Sequence, residues 1–266
     1  MHPIEQLRYV ARASGADAGL LVQEAASALG VFRRDPPGLV TAARRLLTRQ
    51  PAVGPLWWMC SRLVTAADVW AEARAVIEEL RHDPTDRELS HAIEDGARVV
   101  ISGWPDLIAD ALPRRGDVSV LVLDVEGQGS PLVRRLERAD VDAEEVDAAR
   151  LAGAVVAADL VLIEAAAAGP SAALTDIGAL ALAATAKAVG TPTWLVVGAG
   201  RRVPEQYWQA IVERTVEREE LPWLAPYDVV AYGLVDRVVG PDGLQLPGEL
   251  GPCETPLATE LLRELS

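Results

Sequence analysis

The sequence predicts an α/β fold in which a helical N-terminal domain is followed by a Rossmann-like parallel-sheet C-terminal domain. Two observations carry this. Up to about residue 85 apolar residues recur at three- and four-residue spacing, and from about residue 90 they gather into short continuous runs separated by helical stretches. Continuous apolarity marks strands covered on both faces, as in a βαβ sheet. A chain of 266 residues, half of them apolar, is long enough for two such units. The change of period sets them at residues 1–88 and 89–266.

In the first unit the apolar faces are Ile4, Leu7 and Ala11, then Leu20, Leu21, Ala25 and Leu29, then Leu39, Val40, Ala43, Leu46 and Leu47. Breaks are expected at Gly15 and at 35-DPPG-38, since Pro36 and Pro37 cannot sit inside a helix. The segment from Gly54 to Pro84 reads as one long or slightly broken helix, and its Trp57, Trp58 and Trp70 read as core aromatics rather than a binding box. In the second unit strands are expected at 98-RVVIS-102, 118-VSVLVLD-124, 159-DLVLIE-164, 193-TWLVVG-198 and 228-DVVAYGLVDRVV-239. Ligands of such sheets bind at the carboxyl ends of the strands, so the informative residues are those that follow each run.

Net charge sets limits on partners. A formal charge of −14 offers no basic surface for phosphate backbones or anionic membranes. No apolar run approaches the ~20 residues that span a bilayer, and the first residues lack the apolar core of a signal peptide, so a cytoplasmic protein is expected. Cys60 and Cys253 are far apart in sequence and read as packing residues, and no histidine pair among His2, His82 and His91 has metal-ligand spacing. No metal and no cofactor are expected. Lys187 is the only lysine against 24 arginines.

Three strand ends carry candidate chemistry. The stretch 124-DVEGQGSP-131 has a Gly-x-Gly but lacks the third glycine of a dinucleotide fingerprint, so a tight loop is the better reading. In 198-GAGRR-202 two glycines allow close approach of a ligand, and Arg201 and Arg202 can hold a phosphate or carboxylate or can be ordinary surface. In 159-DLVLIEAAAAGPSAALTDIGALALA-183 a strand is expected to run into a loop whose first turn is four alanines. A helix should then open at Thr175, its hydroxyl serving as N-cap, and end at Gly190. Asp176 at that helix start would repel a phosphate. Acid–base chemistry would have to come from Asp124, Glu126, Glu164 or Asp176.

In the order in which they occur, 94-EDGARVVISGWPDLIADAL-112, 118-VSVLVLDVEGQGSPLVRRL-136, 159-DLVLIEAAAAG-169, 175-TDIGALALAATAKAVGTPTWLVV-197 and 227-YDVVAYGLVDRVVGPDG-243 are similar to the family of initiation factor 2B alpha, beta and delta subunits. That family includes methylthioribose-1-phosphate isomerase and ribose-1,5-bisphosphate isomerase. Before the sheet, 49-RQPAVGPLWWMCSRL-63 resembles the Arg-Pro-(Ser/Thr) helix start that closes the family's helical domain. The resemblance implies a homodimer formed through the C-terminal domain and a pocket for a small phosphorylated metabolite. It also implies a regulatory role, since nucleotide exchange belongs to a different subunit.

The family's isomerases use a cysteine after the first of these strands, an aspartate in Gly-Ala-Asp after a later one and an Asn-Lys pair. Residue by residue, the cysteine falls on Gly103, the Gly-Ala-Asp on Glu164, Ala165 and Ala166, and the Asn-Lys on Thr175 and Asp176. The family's acidic-(Ser/Thr)-Arg-Pro turn is replaced by 124-DVEGQG-129, without an arginine. Aldose–ketose isomerisation needs an acid and a base beside adjacent carbons, and Gly103 and Ala166 supply neither. The expectation is therefore a catalytically inactive, binding or regulatory protein with a remodelled sugar-phosphate or nucleotide pocket. Its ligand-binding candidates are Ser102, Gly103, Gln128, Gly129, Thr175, Asp176, Arg201 and Arg202. The competing expectation is an isomerase-like enzyme using Asp124, Glu126 or Glu164 on a sugar phosphate or nucleoside.

Overall fold

The computed structural model describes residues 18–263. The expected helix over Ile4–Ala11, the break at Gly15 and His2 lie outside the described residues. Five helices follow: α1 (Ala18–Leu29), α2 (Pro36–Arg49), α3 (Gly54–Thr65), α4 (Val69–Arg81) and α5 (Thr85–Ala92). The proline pair at 35-DPPG-38 opens α2, because the first turn of a helix needs no backbone donor there, and the Asp35 carboxylate accepts the Gly38 N–H at 3.0 Å. The segment from Gly54 to Pro84 is two helices. Asp68 separates them by capping α4, accepting the N–H groups of Trp70 and Ala71 at 3.0 and 3.1 Å.

Trp57 and Trp58 are core residues, as their helical spacing predicts, whereas Trp70 is 45 % exposed. The Trp57 ring meets Tyr207 at 5.1 Å between centroids, and its indole N–H donates to the Pro51 carbonyl. Helices α1 to α4 thus share one apolar cluster with Tyr207, Trp208 and Ile211 of α10 (Glu205–Val212) and with Leu261 of the C-terminal segment. Cys60 is buried in this cluster and its thiol is free; Cys253 is half-buried and free.

The rest of the chain alternates strand and helix. In order come β1 (Arg98–Ser102), α6 (Asp106–Arg115), β2 (Ser119–Asp124), α7 (Gly129–Glu137), β3 (Asp142–Asp147), α8 (Leu151–Ala157) and β4 (Leu160–Ala168). Then follow β5 (Ala172–Asp176), α9 (Ala179–Val189), β6 (Thr193–Val196), α10, β7 (Tyr227–Ala231), β8 (Arg237–Gly240) and β9 (Gly243–Gln245). The main sheet has the order β3-β2-β1-β4-β6-β8-β9 and is parallel except for the last pair. Apolar clusters fill both of its faces.

Three strands escape the apolar-run criterion. β3 is the acidic sequence DAEEVD on an edge, where exposed charge does not prevent pairing and discourages a second chain from adding to the sheet. β5 and β9 are short and antiparallel. The expected single run 228–239 is divided by a turn at Tyr232–Leu234 into β7 and β8, which lie in different ladders.

The alanine run is also strand. β4 pairs in parallel with β1 at Leu160 and Val161 and with β6 through Glu164, shifts register between Ala165 and Ala167, and continues to Ala168 in an antiparallel ladder with β5. β5 in turn pairs with β7. Small side chains are required here by what lies above them. A Cβ on Gly54, in the first turn of α3, would stand 2.9 Å from the Ala166 carbonyl oxygen and 3.0 Å from Ala167 Cα. The opposite surface of the ladder packs Ala165, Ala168 and Ala173 against α9 residues such as Ala179 and Ala183.

Candidate functional site

The carboxyl ends of β1, β4 and β5 meet the helical layer around a cavity of about 500 Å³, bordered by Ala18 and Leu21 of α1, by Gln50, Ala52 and Val53, and by Trp104, Asp106, Gln128, Glu164, Ala166, Asp176, Arg201 and Tyr227. Its centre of charge is a buried ion pair. Glu164 Oε1 lies 2.8 Å from an Arg201 guanidinium nitrogen, and both side chains are less than a tenth exposed. The same carboxylate accepts the N–H groups of Asp106 and Ile108 at 3.2 and 3.1 Å, which caps the start of α6. Arg201 also donates to the Ala165 carbonyl. Burial pushes the Glu164 carboxyl above the ordinary carboxylate range, Arg201 and the Ile108 N–H pull it back, and the nearby Asp106 and Asp176 push it up again.

This placement corrects both readings of 198-GAGRR-202. Arg201 is neither a free anion holder nor surface, because the glycines bring its loop against protein rather than ligand. A Cβ on Gly200, whose φ is +71°, would stand 2.7 Å from the Trp58 ring, and one on Gly198 would meet Leu107 and Asp83 at 2.5 and 2.7 Å. Asp83 accepts the Ala199 N–H at 2.8 Å and fixes the turn. Arg202 turns away, donates to the Gly251 carbonyl and borders a separate cavity of about 710 Å³.

Thr175 and Asp176 end β5 and do not start a helix. Helix α9 begins at Ala179, after Gly178 at φ +92°, and its first amides are held by Asp228: the N–H groups of Gly178 and Leu180 donate to that carboxylate at 2.8 and 2.9 Å. Asp228 is therefore the cap that Thr175 was expected to be. The Thr175 hydroxyl is buried and donates to the Asp228 carbonyl at 3.3 Å. The C-terminal cap at Gly190 is as expected, at φ +84°.

Asp176 instead reaches across to β1, where one of its oxygens accepts the Trp104 N–H at 3.1 Å. It fills the space beside Gly103. A Cβ built on Gly103 would lie 2.5 Å from that oxygen, and φ there is +73°, a region that disfavours any side chain. Trp104 borders the cavity without filling it, with the Arg135 guanidinium 5.7 Å from its ring centroid.

Of the four carboxylates named for acid–base work, Glu164 and Asp176 border the cavity. Asp124 accepts the Gly129 N–H at 2.9 Å, closing its own tight loop, and Glu126 is exposed at φ +55° on the tip of that loop. Ser102 and Gly129 stand at their strand ends but do not border the cavity, whereas Gln128 does, with its side-chain oxygen buried and unpartnered. Sequence reasoning missed Asp106, Tyr227 and Gln50. Asp106 follows a strand end directly and was findable; Tyr227 comes from β7, an antiparallel strand whose neighbour in the sheet gave no signal. Among the described residues no cluster of His, Cys, Asp and Glu suits a metal ion.

Two outcomes follow. Replacing Arg201 with Met leaves Glu164 buried without its counter-charge and should cost about 3–5 kcal/mol at neutral pH. Because the variant's folded-state Glu164 pKa lies further above the unfolded value, the deficit should be small in acid, where the group is protonated in both states, and grow as pH rises through the carboxylate range; urea unfolding at several pH values measures this. Gly103→Ala should destabilise by about 1–2 kcal/mol for the backbone alone. The clash with Asp176 adds to it, so the paired variant Gly103→Ala, Asp176→Ala should recover only that part.

No family model and no curated protein matches the sequence significantly. Solved structures do match the fold. The translation initiation factor eIF-2B of Pyrococcus horikoshii OT3 superposes with a TM-score of 0.75 at 13 % identity, covering 92 % of this chain and 97 % of that one. A chain of the tetrameric eIF2B-beta2-delta2 complex from C. thermophilum gives 0.75 at 18 % identity, covering 94 % and 92 %. The initiation factor eIF-2B subunit delta of A. fulgidus gives 0.62 at 16 % identity, covering 92 % and 88 %. Over nearly its whole length, helical layer and sheet together, the chain has the fold of the initiation factor 2B subunits.

Proposed function

We propose that the chain is a divergent initiation factor 2B-like protein that binds rather than turns over its ligand, at the strand-end cavity. The observation that supports this most directly is that Glu164 spends its oxygens on Arg201 and on the first amides of α6, while Asp176 occupies the space a side chain on Gly103 would need. Glu164 is thereby spent, and Asp176 alone keeps an unbonded carboxylate oxygen, one group where isomerisation needs an acid and a base. Ala166 borders the same cavity and has nothing to contribute to proton transfer.

A second reading is an isomerase-like enzyme with a changed acid–base set. One observation favours it: Glu164 and Asp176 border the same cavity, and burial holds the Glu164 carboxyl high enough to keep a proton longer than an exposed one. Assay of the purified chain with ribose-1,5-bisphosphate and methylthioribose-1-phosphate separates the two. The binding reading expects no isomer from either; turnover overturns it.

We further propose that the protein is a homodimer. Exposed residues of α8 (Ala152, Val156, Ala157) and of α9 (Leu180, Ala181, Ala184, Val189) are apolar or small, with Val156 at 67 % exposure. Such helix faces are usually covered in solution. Light scattering should give twice the chain mass, and Val156→Glu with Leu180→Glu should reduce it to one; a wild-type monomer at micromolar concentration refutes the assignment.

A further inference from the structure

The polar groups of the strand-end cavity point to a ligand of a particular charge. Among the described residues the only cation on its wall is Arg201, and that guanidinium is already committed to Glu164 and to the Ala165 carbonyl. Nothing positive is therefore left to hold a phosphate. The remaining polar groups carry either a negative charge, as Asp176 does, or no charge, as Gln128 and Tyr227 do, and the latter can both donate and accept. The Asp176 carboxylate uses one oxygen for the Trp104 N–H and, among the described residues, accepts no other hydrogen bond. Gln128 borders the cavity, and its buried side-chain oxygen accepts nothing from the described residues, which is a costly state for a polar atom. Burial, and then the Asp176 charge, push the Tyr227 phenol above its ordinary range, so it stays neutral and adds no negative charge of its own. Leu21, Val53 and the Trp104 indole supply apolar walls. A volume of about 500 Å³ lies within the range of small-metabolite sites.

We infer that the cavity takes a small molecule bearing an ammonium group, which Asp176 would pair with, and hydroxyl groups that the Gln128 and Tyr227 side chains would meet. This rests on the binding reading above and gives it a substrate class: an amino sugar or a comparable polar amine rather than a sugar phosphate. The same carboxylate that excludes a side chain at position 103 then becomes the recognition group. The ion pair of Glu164 and Arg201 is the frame that keeps the site free of competing positive charge.

The test is calorimetric titration of the full chain at low ionic strength with glucosamine, glucose and ribose 5-phosphate. Glucosamine should bind the wild type about tenfold or more tightly than glucose, as expected for one desolvated charge-assisted hydrogen bond, and ribose 5-phosphate should be weaker still. Asp176→Asn keeps an acceptor for the Trp104 N–H and loses the charge, so it should stay folded and lose about that same factor for glucosamine. Gln128→Leu should weaken glucosamine and glucose alike. Arg202→Ala, beside the other cavity, should change neither. Absence of glucosamine binding, an Asn variant that binds it as the wild type does, or tighter binding of ribose 5-phosphate each overturns the inference. Binding of ribose 5-phosphate without isomerisation would do so while leaving the non-catalytic reading intact; isomerisation would remove that reading as well.

Discussion

The buried pair of Glu164 and Arg201 is the interaction on which the rim of the sheet depends. Glu164 is the last residue of β4 in register with β6, and its carboxylate caps α6, the helix that follows β1. Arg201 belongs to the loop after β6 and bonds back to β4 at Ala165. One ion pair thus ties three consecutive parts of the parallel sheet at the edge where ligands bind. Ions are expensive to bury, and such a pair is tolerated only when the remaining lone pairs and protons find partners. Here two backbone amides and a carbonyl provide them. The result is a cavity whose one basic wall residue, among the described residues, is already neutralised.

The helical layer reaches this rim because β4 changes partners. Through Glu164 the strand is an interior member of the parallel sheet, and beyond it the alanines form a small antiparallel ladder with β5 and β7. Alanine has no special affinity for strands, so packing must justify the run. Gly54 and Pro55 open α3 directly above Ala166 and Ala167, and larger residues on either side would separate the layers. Gly169 tells the same story at the far end, where a Cβ would stand 2.4 Å from the Trp208 indole. The floor of the cavity is therefore low and inert, and its chemistry is left to side chains that enter from the flanks: Asp176, Gln128, Asp106 and Tyr227.

What was legible from sequence divides along the same physical lines. Helix faces and doubly covered parallel strands announce themselves through apolar periodicity, and α1, α2, β1, β2, β4 and β6 lie where that signal placed them, whereas the runs 54–84 and 228–239 each divide in two. β3 is invisible to it because an edge strand can be acidic, and β5 because its residues AALTD belong to a hairpin whose partner is a run of alanines. The cap of α9 was misassigned for a related reason. Thr175 has the chemistry of a cap and stands near the helix, yet the carboxylate that does the capping, Asp228, is some fifty residues away and is brought in by β7. Arg201 was unreadable in the same sense: whether an arginine is surface or core depends on which carboxylate the fold delivers to it.

Gly103 and Asp176 lie far apart in sequence, and in space they form one unit. The backbone at Gly103 has a left-handed φ, and the volume its side chain would enter is held by the Asp176 carboxylate, itself anchored on the next amide in the chain. Each arrangement requires the other: a side chain at 103 would have to displace Asp176, and the aspartate can reach the Trp104 N–H only because 103 has none. A thiol at this place would offer a ligand a nucleophile, whereas the Asp176 carboxylate offers it a negative charge and a hydrogen-bond acceptor.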